Sequence, residues 1–342
     1  MVSKYENVLN LVFAEPWAIT PEYMAIIRGV VLRRASGVQM AQDEIDAAVG
    51  PRRSAQPARS GSVAVLPLYG PMAQRMNLMS EVSGGTSTQQ FGAMFTQAMA
   101  DPNVGSIVID LDSPGGSVFG IQELWDTMMS HRGRKPVTAV ANSMAASAAY
   151  WIATAADSIS VTPGGAVGSI GVIMEHTDIS AALETAGVKT TLISAGKRKA
   201  MGNQFEPLSE ESLGELQAKV DAYYAMFTNA VAKGRGVPSA TVRNGYGEGD
   251  VVLAQEAKRL GMVDRIETLD QAIGRMMGQG QRAGARAELV ATDTVTLQTG
   301  DLMDEEMLAI SPVPEPDPSP EPDREPVPAN AQLLTARRRA FD

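Results

Sequence analysis

Three short stretches of the sequence carry residue types that could perform acyl transfer, and the first surrounds a serine with small side chains. It is Ala146-Ser-Ala-Ala-Tyr150, which follows an apolar run expected to form a strand. A helix is expected here, so Ser147 would lie near free backbone N–H groups that can stabilise an oxyanion. Ser147 is therefore the candidate nucleophile. The alternatives are a helix packed through small residues, or a role for Ser143, which we instead expect to be a helix N-cap.

The second stretch is a glycine-rich turn, Asp112-Ser-Pro-Gly-Gly-Ser117, which directly follows an expected buried strand. Two consecutive glycines allow an unusual backbone path and can expose N–H groups. A pair of such donors is what an oxyanion hole requires. By itself, however, the stretch is more typical of an ordinary strand–helix turn.

The third stretch, Gly196-Lys-Arg-Lys199, is basic and lies in a loop rich in small residues. A serine hydroxyl is a weak nucleophile and needs a base. A lysine can be that base when desolvation or a nearby cation lowers its pKa. Lys197 and Arg198 are interpreted as part of a solvated loop.

A Ser–His–Asp triad is the main chemical alternative. The chain contains only two histidines that could belong to one. His131 falls in an expected surface turn, and His176 follows the candidate nucleophile in sequence. Asp110, Asp112 and Asp157 are interpreted as strand-end and capping residues. Two scattered histidines supply no recognisable metal-ligand set, so neither a metal nor a cofactor is expected.

The elements that must position these residues alternate between strands and helices, which predicts an α/β layered fold with parallel pairing. Strands are expected over 63–69, 106–111, 136–141, 158–162, 169–174, 189–193 and 262–267. Helices are expected over 87–100, 118–131, 143–156, 179–186, 209–234 and 253–260. Helical periodicity also marks about residues 5–48.

Composition excludes several classes of protein. The 342 residues include no cysteine, which excludes disulfides, thiolate metal sites and a cysteine nucleophile. A net charge of −10 argues against nucleic acid as the main partner. No apolar stretch approaches the length of a membrane span, and the start lacks the pattern of a signal peptide. We therefore expect a cytoplasmic protein without a membrane partner.

Four regions are expected along the chain. Residues 1–48 form an N-terminal helical extension, and residues 49–61 form a linker by composition. Residues 62–275 form the main domain. Residues 276–342 form a flexible tail whose segment 311–328 is rich in proline and is expected to be disordered.

Together the three stretches resemble the signal peptide peptidase A family of serine peptidases, over about residues 62–270. The family pattern has an S-P-G-G turn, an A-S-x-x-Y nucleophile helix, a G-S-I-G-V segment and a G-x-x-K loop. Its counterparts here are Ser113-Pro-Gly-Gly116, Ala146-Ser-Ala-Ala-Tyr150, Gly168-Ser-Ile-Gly-Val172 and Gly196-Lys-Arg-Lys199. Each motif alone is weak, but all four occur in the family's order.

The resemblance implies a Clp/crotonase-like layered fold of repeated βαβ units and a Ser–Lys dyad. Ser147 then matches the nucleophile and Lys199 the general base. The backbone N–H groups of Gly116 and Ala148 match the oxyanion hole. Ala148 and Ala149 stand where the family usually has glycines, but the backbone N–H is retained. The family also implies a homo-oligomeric ring and polypeptide substrates.

The opening, residues 11–23, and the stretch 190–203 are similar to tailed-phage capsid proteases of the lambda C-protein type. This branch implies a head-maturation protease that cleaves scaffold, portal or itself during capsid assembly. The alternatives are a cytoplasmic peptide-degrading peptidase of the same family and a catalytically inactive assembly scaffold.

Overall fold

The computed structural model describes residues 15–35, 57–75 and 85–278. The strands are β1 (Trp17–Ile19), β2 (Ala58–Ser60), β3 (Val63–Tyr69), β4 (Met72–Ala73), β5 (Thr86–Ser87), β6 (Ser106–Ser113), β7 (Gly115–Ser117), β8 (Val137–Ala146), β9 (Ser158–Val161), β10 (Ala166–Gly168), β11 (Val251–Leu253) and β12 (Arg265–Ile266). The helices are α1 (Pro21–Ala35), α2 (Thr88–Ala100), α3 (Ile121–Ser130), α4 (Ala148–Ala153), α5 (Ser180–Thr185), α6 (Glu210–Arg235), α7 (Ser239–Gly245), α8 (Ala254–Arg259) and α9 (described over 269–278).

The main sheet is built around parallel strands in the order β11-β10-β8-β6-β3-β2, and β9 joins it beside β8 and carries β12. Strands β3, β6, β8 and β10 are parallel neighbours, whereas β2 and β11 pair antiparallel at the two edges. The central strands contain long apolar runs, as expected for strands covered on both faces. The alternation of strands with α2, α3 and α4 gives the expected βαβ units.

Successive side chains of β6 enter two different apolar layers. Ile107, Ile109 and Leu111 belong to the large core beneath α2, α3 and α4. Val108 points to the opposite face and packs with Met276 of α9. Because side chains alternate along a strand, both faces of the sheet must be covered, and helices cover both. Helix α9 continues past residue 275, at which the main domain was expected to end.

Strand β8 changes neighbours along its length, and this change creates the space for a site. Its residues 138–141 pair with β9, whereas its residues 144–146 pair with β10. The sheet therefore splits between Ala141 and Met144. The carboxyl end of β8 lies beside β10 and close to the strand β7.

Helix α6 supports the helix that follows the carboxyl end of β8. It spans 26 residues, and the side chain of Ser209 caps it by accepting a hydrogen bond from the backbone N–H of Ser212. Phe227 of α6 stacks on Trp151 of α4, with ring centroids 4.6 Å apart. At the end of α6, Arg235 donates to both carboxylate oxygens of Asp264, at 2.9 and 2.8 Å.

A second, small sheet lies against the carboxyl end of the main one, in the order β1-β7-β4-β5. It holds β7 between β4, which pairs parallel to it, and β1, which pairs antiparallel. The pattern of residues 112–117 predicts a turn at the segment of β7. Its two sheet partners explain why it is extended instead.

Several expected elements differ in the structure. Residues 189–193 form no strand and are exposed, and 169–174 contributes only an isolated bridge at Ile173. The helix expected from 143 begins at Ala148, because β8 continues to Ala146. None of the helices that the structure describes is long and apolar enough to cross a membrane.

Candidate active site

Ser147 is the single residue between strand β8 and helix α4. Its backbone has φ 54° and ψ −120°, a conformation that residues with side chains rarely adopt. The Ser147 N–H donates to the Gly168 carbonyl at 2.6 Å, and the Ser147 carbonyl accepts from the Trp151 N–H at 3.0 Å. Strain of this kind persists where neighbouring structure imposes it, and it concentrates at active sites.

The hydroxyl of Ser147 is buried and available. The residue is 1% exposed, and its Oγ makes no hydrogen bond within the described part of the chain. Buried hydroxyls are rarely left without a partner, because desolvation then goes uncompensated. A strained serine on a strand-to-helix turn is also the geometry of a hydrolase nucleophile elbow. The Oγ is thus placed to meet a reacting group.

The two glycines of β7 lie directly beside Ser147 and in close contact with other backbone. Gly115 has φ 107°, and a Cβ there would lie 2.9 Å from the Cβ of Ser147. A Cβ on Gly116 would lie 2.1 Å from the carbonyl oxygen of Met72. Only glycine fits at either position, since real Cβ atoms do not approach so closely. The S-P-G-G turn therefore lies at the candidate nucleophile.

Ala148 is the first residue of α4 and is completely buried. The N–H groups of a first helical turn have no partner within the helix. The roles of Ala148 and Gly116 as oxyanion donors remain predictions.

The other serine considered, Ser143, is exposed within β8 and donates a hydrogen bond to Asp112. The expectation that it caps a helix is wrong, since no helix begins there.

Lys199 makes no hydrogen bond to the Ser147 hydroxyl. Its side chain is exposed, and its backbone N–H donates to the Gly196 carbonyl at 3.0 Å. The neighbouring cations Lys197 and Arg198 pair with Glu211 and Glu215 of α6, at 3.0 and 2.8 Å, in exposed positions.

Neither histidine hydrogen-bonds the Ser147 hydroxyl. The Nε2 of His176 is 3.0 Å from the carbonyl oxygen of Asn203. The Nδ1 of His131 is 2.9 Å from the carbonyl oxygen of Thr127, and its ring meets the edge of Phe95. A Ser147–His–Asp triad is thus absent from the described residues.

The aspartates set aside in the sequence have structural partners. Asp110 accepts a short hydrogen bond from the hydroxyl of Tyr69. Asp157 accepts from the Val137 N–H at 2.8 Å and pairs with Arg132 at 3.5 Å.

Sequence reasoning missed one part of the site, strand β1. It pairs antiparallel with β7, with Trp17 opposite Ser117, Ala18 opposite Gly116 and Ile19 opposite Gly115. Its signal was a short apolar run, Trp17-Ala-Ile19, bounded by prolines at 16 and 21. Such a run is typical of a short edge strand, but it was included in a stretch with helical periodicity.

Comparisons with known proteins cover the same residues. Residues 130–282, which include Ser147 and Lys199, match the family model of peptidase family S49. Residues 68–167, which include Gly116 and Ser147, match the model of the Clp protease family. Together with the parallel sheet, the second match confirms the expected Clp-like α/β fold.

Phage proteins are among the similar chains. The head-tail preconnector protein GP5 of Enterobacteria phage P21 is 31% identical over 315 residues, which are 87% of this chain and 62% of that protein. The capsid assembly protease C of Escherichia phage lambda is 36% identical over 224 residues, which are 66% of this chain and 51% of that protein. This chain therefore spans between half and two thirds of the length of these relatives.

More distant relatives are cellular. The chloroplastic serine protease SPPA of Arabidopsis thaliana is 28% identical over 167 residues, 48% of this chain and 24% of that protein. An enoyl-CoA hydratase structure from Polaromonas sp. JS666 aligns over 67% of this chain and 77% of its own, with 15% identity and a TM-score of 0.39, too distant to bear on function. The resemblance that the motifs indicated is thus confirmed: residues 130–282 match peptidase family S49, and a phage capsid assembly protease and an SPPA-type protease are among the similar proteins.

Proposed function

We propose that this protein is a serine endopeptidase that uses Ser147 as nucleophile and Lys199 as general base. The observation that carries the proposal is Ser147 itself: its backbone is strained, and its buried hydroxyl, beside the two glycines of β7, has no hydrogen-bond partner among the described residues. The peptidase-family match and the protease names of the relatives support the same chemistry.

The proposed reaction proceeds through an acyl-enzyme. Ser147 Oγ attacks the carbonyl carbon of the scissile peptide bond, while Lys199 accepts the hydroxyl proton. The N–H groups of Gly116 and Ala148 stabilise the oxyanion of the tetrahedral intermediate. Lys199 then passes the proton to the leaving amine as the C–N bond breaks. Water, deprotonated by the same lysine, hydrolyses the ester and releases the new carboxyl terminus.

In the proposed reaction the exposed Lys199 must reach a buried Ser147 hydroxyl. The segment that leads to it carries three apolar side chains in solvent, and Ile193 is 96% exposed, with Val188 and Leu192 about half exposed. Apolar side chains exposed together on one segment are typical of an interaction surface. We propose that the segment docks on a neighbouring copy and delivers Lys199 to the Ser147 of that copy. A closed homo-oligomer, as the family resemblance implies, supplies such a neighbour at every site.

Three single variants test the catalytic assignment against the histidine alternative. Wild type, Ser147→Ala, Lys199→Ala and His176→Ala are incubated with an unfolded protein, and the fragments are measured by intact mass. We expect cleavage by wild type and His176→Ala and none by the other two. Cleavage by Ser147→Ala at the wild-type rate would mean that another residue is the nucleophile.

Mixing two inactive variants tests whether the lysine comes from a neighbour. Ser147→Ala and Lys199→Ala are unfolded together and refolded, so that their subunits mix in one oligomer. A subunit with Ser147 intact then meets a neighbour with Lys199 intact at about one quarter of the sites, if mixing is random. Recovery of activity near that fraction is expected. An inactive mixture, with both variants assembled, would mean that the lysine acts within its own chain.

The biological role that we propose is head maturation of a tailed phage, with scaffold, portal or capsid polypeptides as substrates. It rests on the two phage relatives, of which one is named a capsid assembly protease. The place of action would be the host cytoplasm or the procapsid. Co-expression with the phage's own head proteins, compared with generic unfolded proteins, tests this role. Equal cleavage of both would favour a general peptide-degrading peptidase.

An inactive assembly scaffold is the second candidate function, because Lys199 is exposed and makes no hydrogen bond to the buried Ser147 hydroxyl. It predicts that Ser147→Ala leaves head assembly and processing unchanged. Loss of processing with normal assembly of the variant would exclude it.

A further inference from the structure

The N-terminal segment 16–20 lies between two backbone strands at the candidate site. On one side it pairs with β7, and the flanking bonds join the Val118 N–H to the Pro16 carbonyl at 3.3 Å and the Thr20 N–H to the Pro114 carbonyl at 3.0 Å. An extended segment held in this way has the geometry of a peptide bound by strand addition.

On its other side, the same segment bonds to the residues that follow the G-S-I-G-V motif. The Trp17 N–H donates to the Ile173 carbonyl at 2.8 Å, and the Ile173 N–H donates to the Trp17 carbonyl at 2.9 Å. Backbone groups of β1 are therefore paired on both edges. The two partners, β7 and Ile173, form the walls of a cleft that fits one extended chain.

The middle of this segment reaches the candidate nucleophile. A Cβ on Gly115 would lie 2.2 Å from the Ala18 carbonyl oxygen and 2.9 Å from the Ser147 Cβ, so both atoms lie against the same point. The alternation of bonds in an antiparallel pair, set by the two flanking bonds, makes Ala18 and Gly116 a hydrogen-bonded pair. The Gly116 N–H, which was expected to stabilise an oxyanion, therefore points to the Ala18 carbonyl.

We infer that β7 and Ile173 are the backbone strands that bind an extended peptide substrate, and that residues 16–20 fill this cleft in the resting protein. The inference rests on the proposed function for the identity of the ligand as a peptide. A substrate must displace β1 before it reaches Ser147, so the N-terminal segment restrains the enzyme until it is released.

Side-chain packing indicates which peptides the cleft accepts. Ala18 is fully buried and belongs to the large core around α4, whereas Trp17 and Ile19 pack on Met24 and Ile27 of α1. In a strand the side chains alternate, so only the central one faces the core that contains α4, the helix that follows Ser147. The position of Ala18 leaves room for a small side chain, and we expect substrates to carry one there.

The same packing identifies the unit that moves. Because Trp17 and Ile19 are covered by α1, strand β1 and helix α1 leave the cleft together. Besides the backbone bonds of β1, two side-chain contacts help to hold this unit in place: Arg28 pairs with Glu175 at 3.6 Å, and the Ser117 hydroxyl donates to the carboxylate of Glu15.

A thiol crosslink between positions 28 and 175 is designed to keep β1 and α1 in the cleft. We call this crosslink the lock. The chain has no cysteine of its own, so Arg28→Cys with Glu175→Cys introduces the only two thiols. Both side chains are at least partly exposed, so a bifunctional thiol reagent can reach both positions, and neither substitution lies in β1. The uncrosslinked double variant and the Arg28→Cys single variant treated with the reagent are the controls.

A charged substitution in β1 is designed to release this strand from the cleft. Ala18→Asp places a carboxylate at a position that is 0% exposed, which disfavours docking of β1. Ala25→Asp is the matched control, because Ala25 lies on the exposed side of α1. The lock, which leaves β1 unaltered, keeps the inference testable if Ala18→Asp fails to fold.

The measurement is binding of a fluorescent peptide that copies residues 15–21, with every variant made in the Ser147→Ala background. Binding needs no catalysis, so the peptidase proposal can fail without affecting this result. If β1 leaves the cleft for a tenth of the time or less, release should raise the apparent affinity about tenfold or more, and the lock should abolish binding. Equal binding by crosslinked and uncrosslinked protein, or no gain in a folded Ala18→Asp, would overturn the inference.

Discussion

At the scale of the residue, the strained backbone of Ser147 leads to a prediction about stability. A conformation with φ 54° and ψ −120° costs about 1–3 kcal/mol in a residue with a side chain, but much less in glycine. We therefore expect Ser147→Gly to be inactive yet more stable than wild type by about 1 kcal/mol, after the extra entropy of glycine in the unfolded chain. Urea unfolding measures the difference.

The control is Ser147→Ala, which removes the hydroxyl but keeps the Cβ and therefore the strain. It should unfold close to wild type. Equal stability of Ser147→Gly and Ser147→Ala would mean that the backbone of Ser147 is relaxed in solution.

Gly115 gives a second prediction at this scale, because an added methyl group would contact both the nucleophile and β1. Gly115→Ala should abolish cleavage, since its Cβ would meet Ser147 and the Ala18 carbonyl. Gly133→Ala is the matched control: Gly133 also has positive φ, at 84°, but no atom lies within 4 Å of its added Cβ. The control should lose about 1–2 kcal/mol of stability and keep its activity. Cleavage by Gly115→Ala would mean that β7 does not lie at the carbonyl of the scissile peptide bond.

At the scale of the element, helix α6 is tied to the sheet by the pair of Arg235 and Asp264. Burial raises the pKa of Asp264, but the hydrogen bond from Arg235 and that from the Ile159 N–H outweigh it and hold the pKa below its ordinary value. The stability that Asp264 contributes is therefore complete above the ordinary pKa of about 3.9. It is lost as the pH falls through the lower pKa of the folded state.

We expect Asp264→Asn to be less stable than wild type at pH 7. The difference in stability should shrink as the pH falls below the ordinary aspartate pKa of about 3.9. Arg235→Ala should cost about 1–3 kcal/mol at pH 7, the usual range for hydrogen bonds to charged groups. Arg259→Ala, which removes an exposed pair with Glu256, is the control and should leave stability unchanged. A constant deficit of Asp264→Asn from pH 3 to pH 7 would contradict the lowered pKa of Asp264 in the folded protein.

The elements also show what the sequence could predict. Strand β3 and helix α2 lie where the apolar runs and periodicity placed them, because local pattern and burial agree there. The short strands β4, β7 and β11 could not be predicted, since each exists only through partners distant in the chain.

The sequence indicated the chemistry of the candidate site better than its geometry. The glycines, the serine and the apolar run before it marked residues 115–116 and Ser147 as candidates, although not the strand β7, and the strand β1 that fills the cleft has no motif of its own.

At the scale of the whole molecule, the exposed segment before Lys199 predicts an interface between copies. Ile193→Asp should shift the protein to smaller assemblies and reduce cleavage, because a charge would have to be buried in the contact. Light scattering after size exclusion measures the assembly. Leu253→Asp is the control, since Leu253 is also an exposed apolar residue but lies on the edge strand β11. Full activity and unchanged assembly of Ile193→Asp would remove this segment from the interface.

Covalent labelling shows whether Ser147 is an activated nucleophile. Wild type and Ser147→Ala are incubated with a fluorophosphonate, which reacts with activated serines, long enough for the strand β1 to open. The labelled residue is then identified by peptide mapping. The account predicts one adduct, on Ser147, and none on Ser147→Ala. An adduct on another serine, or none on a wild type that still cleaves protein, would contradict it.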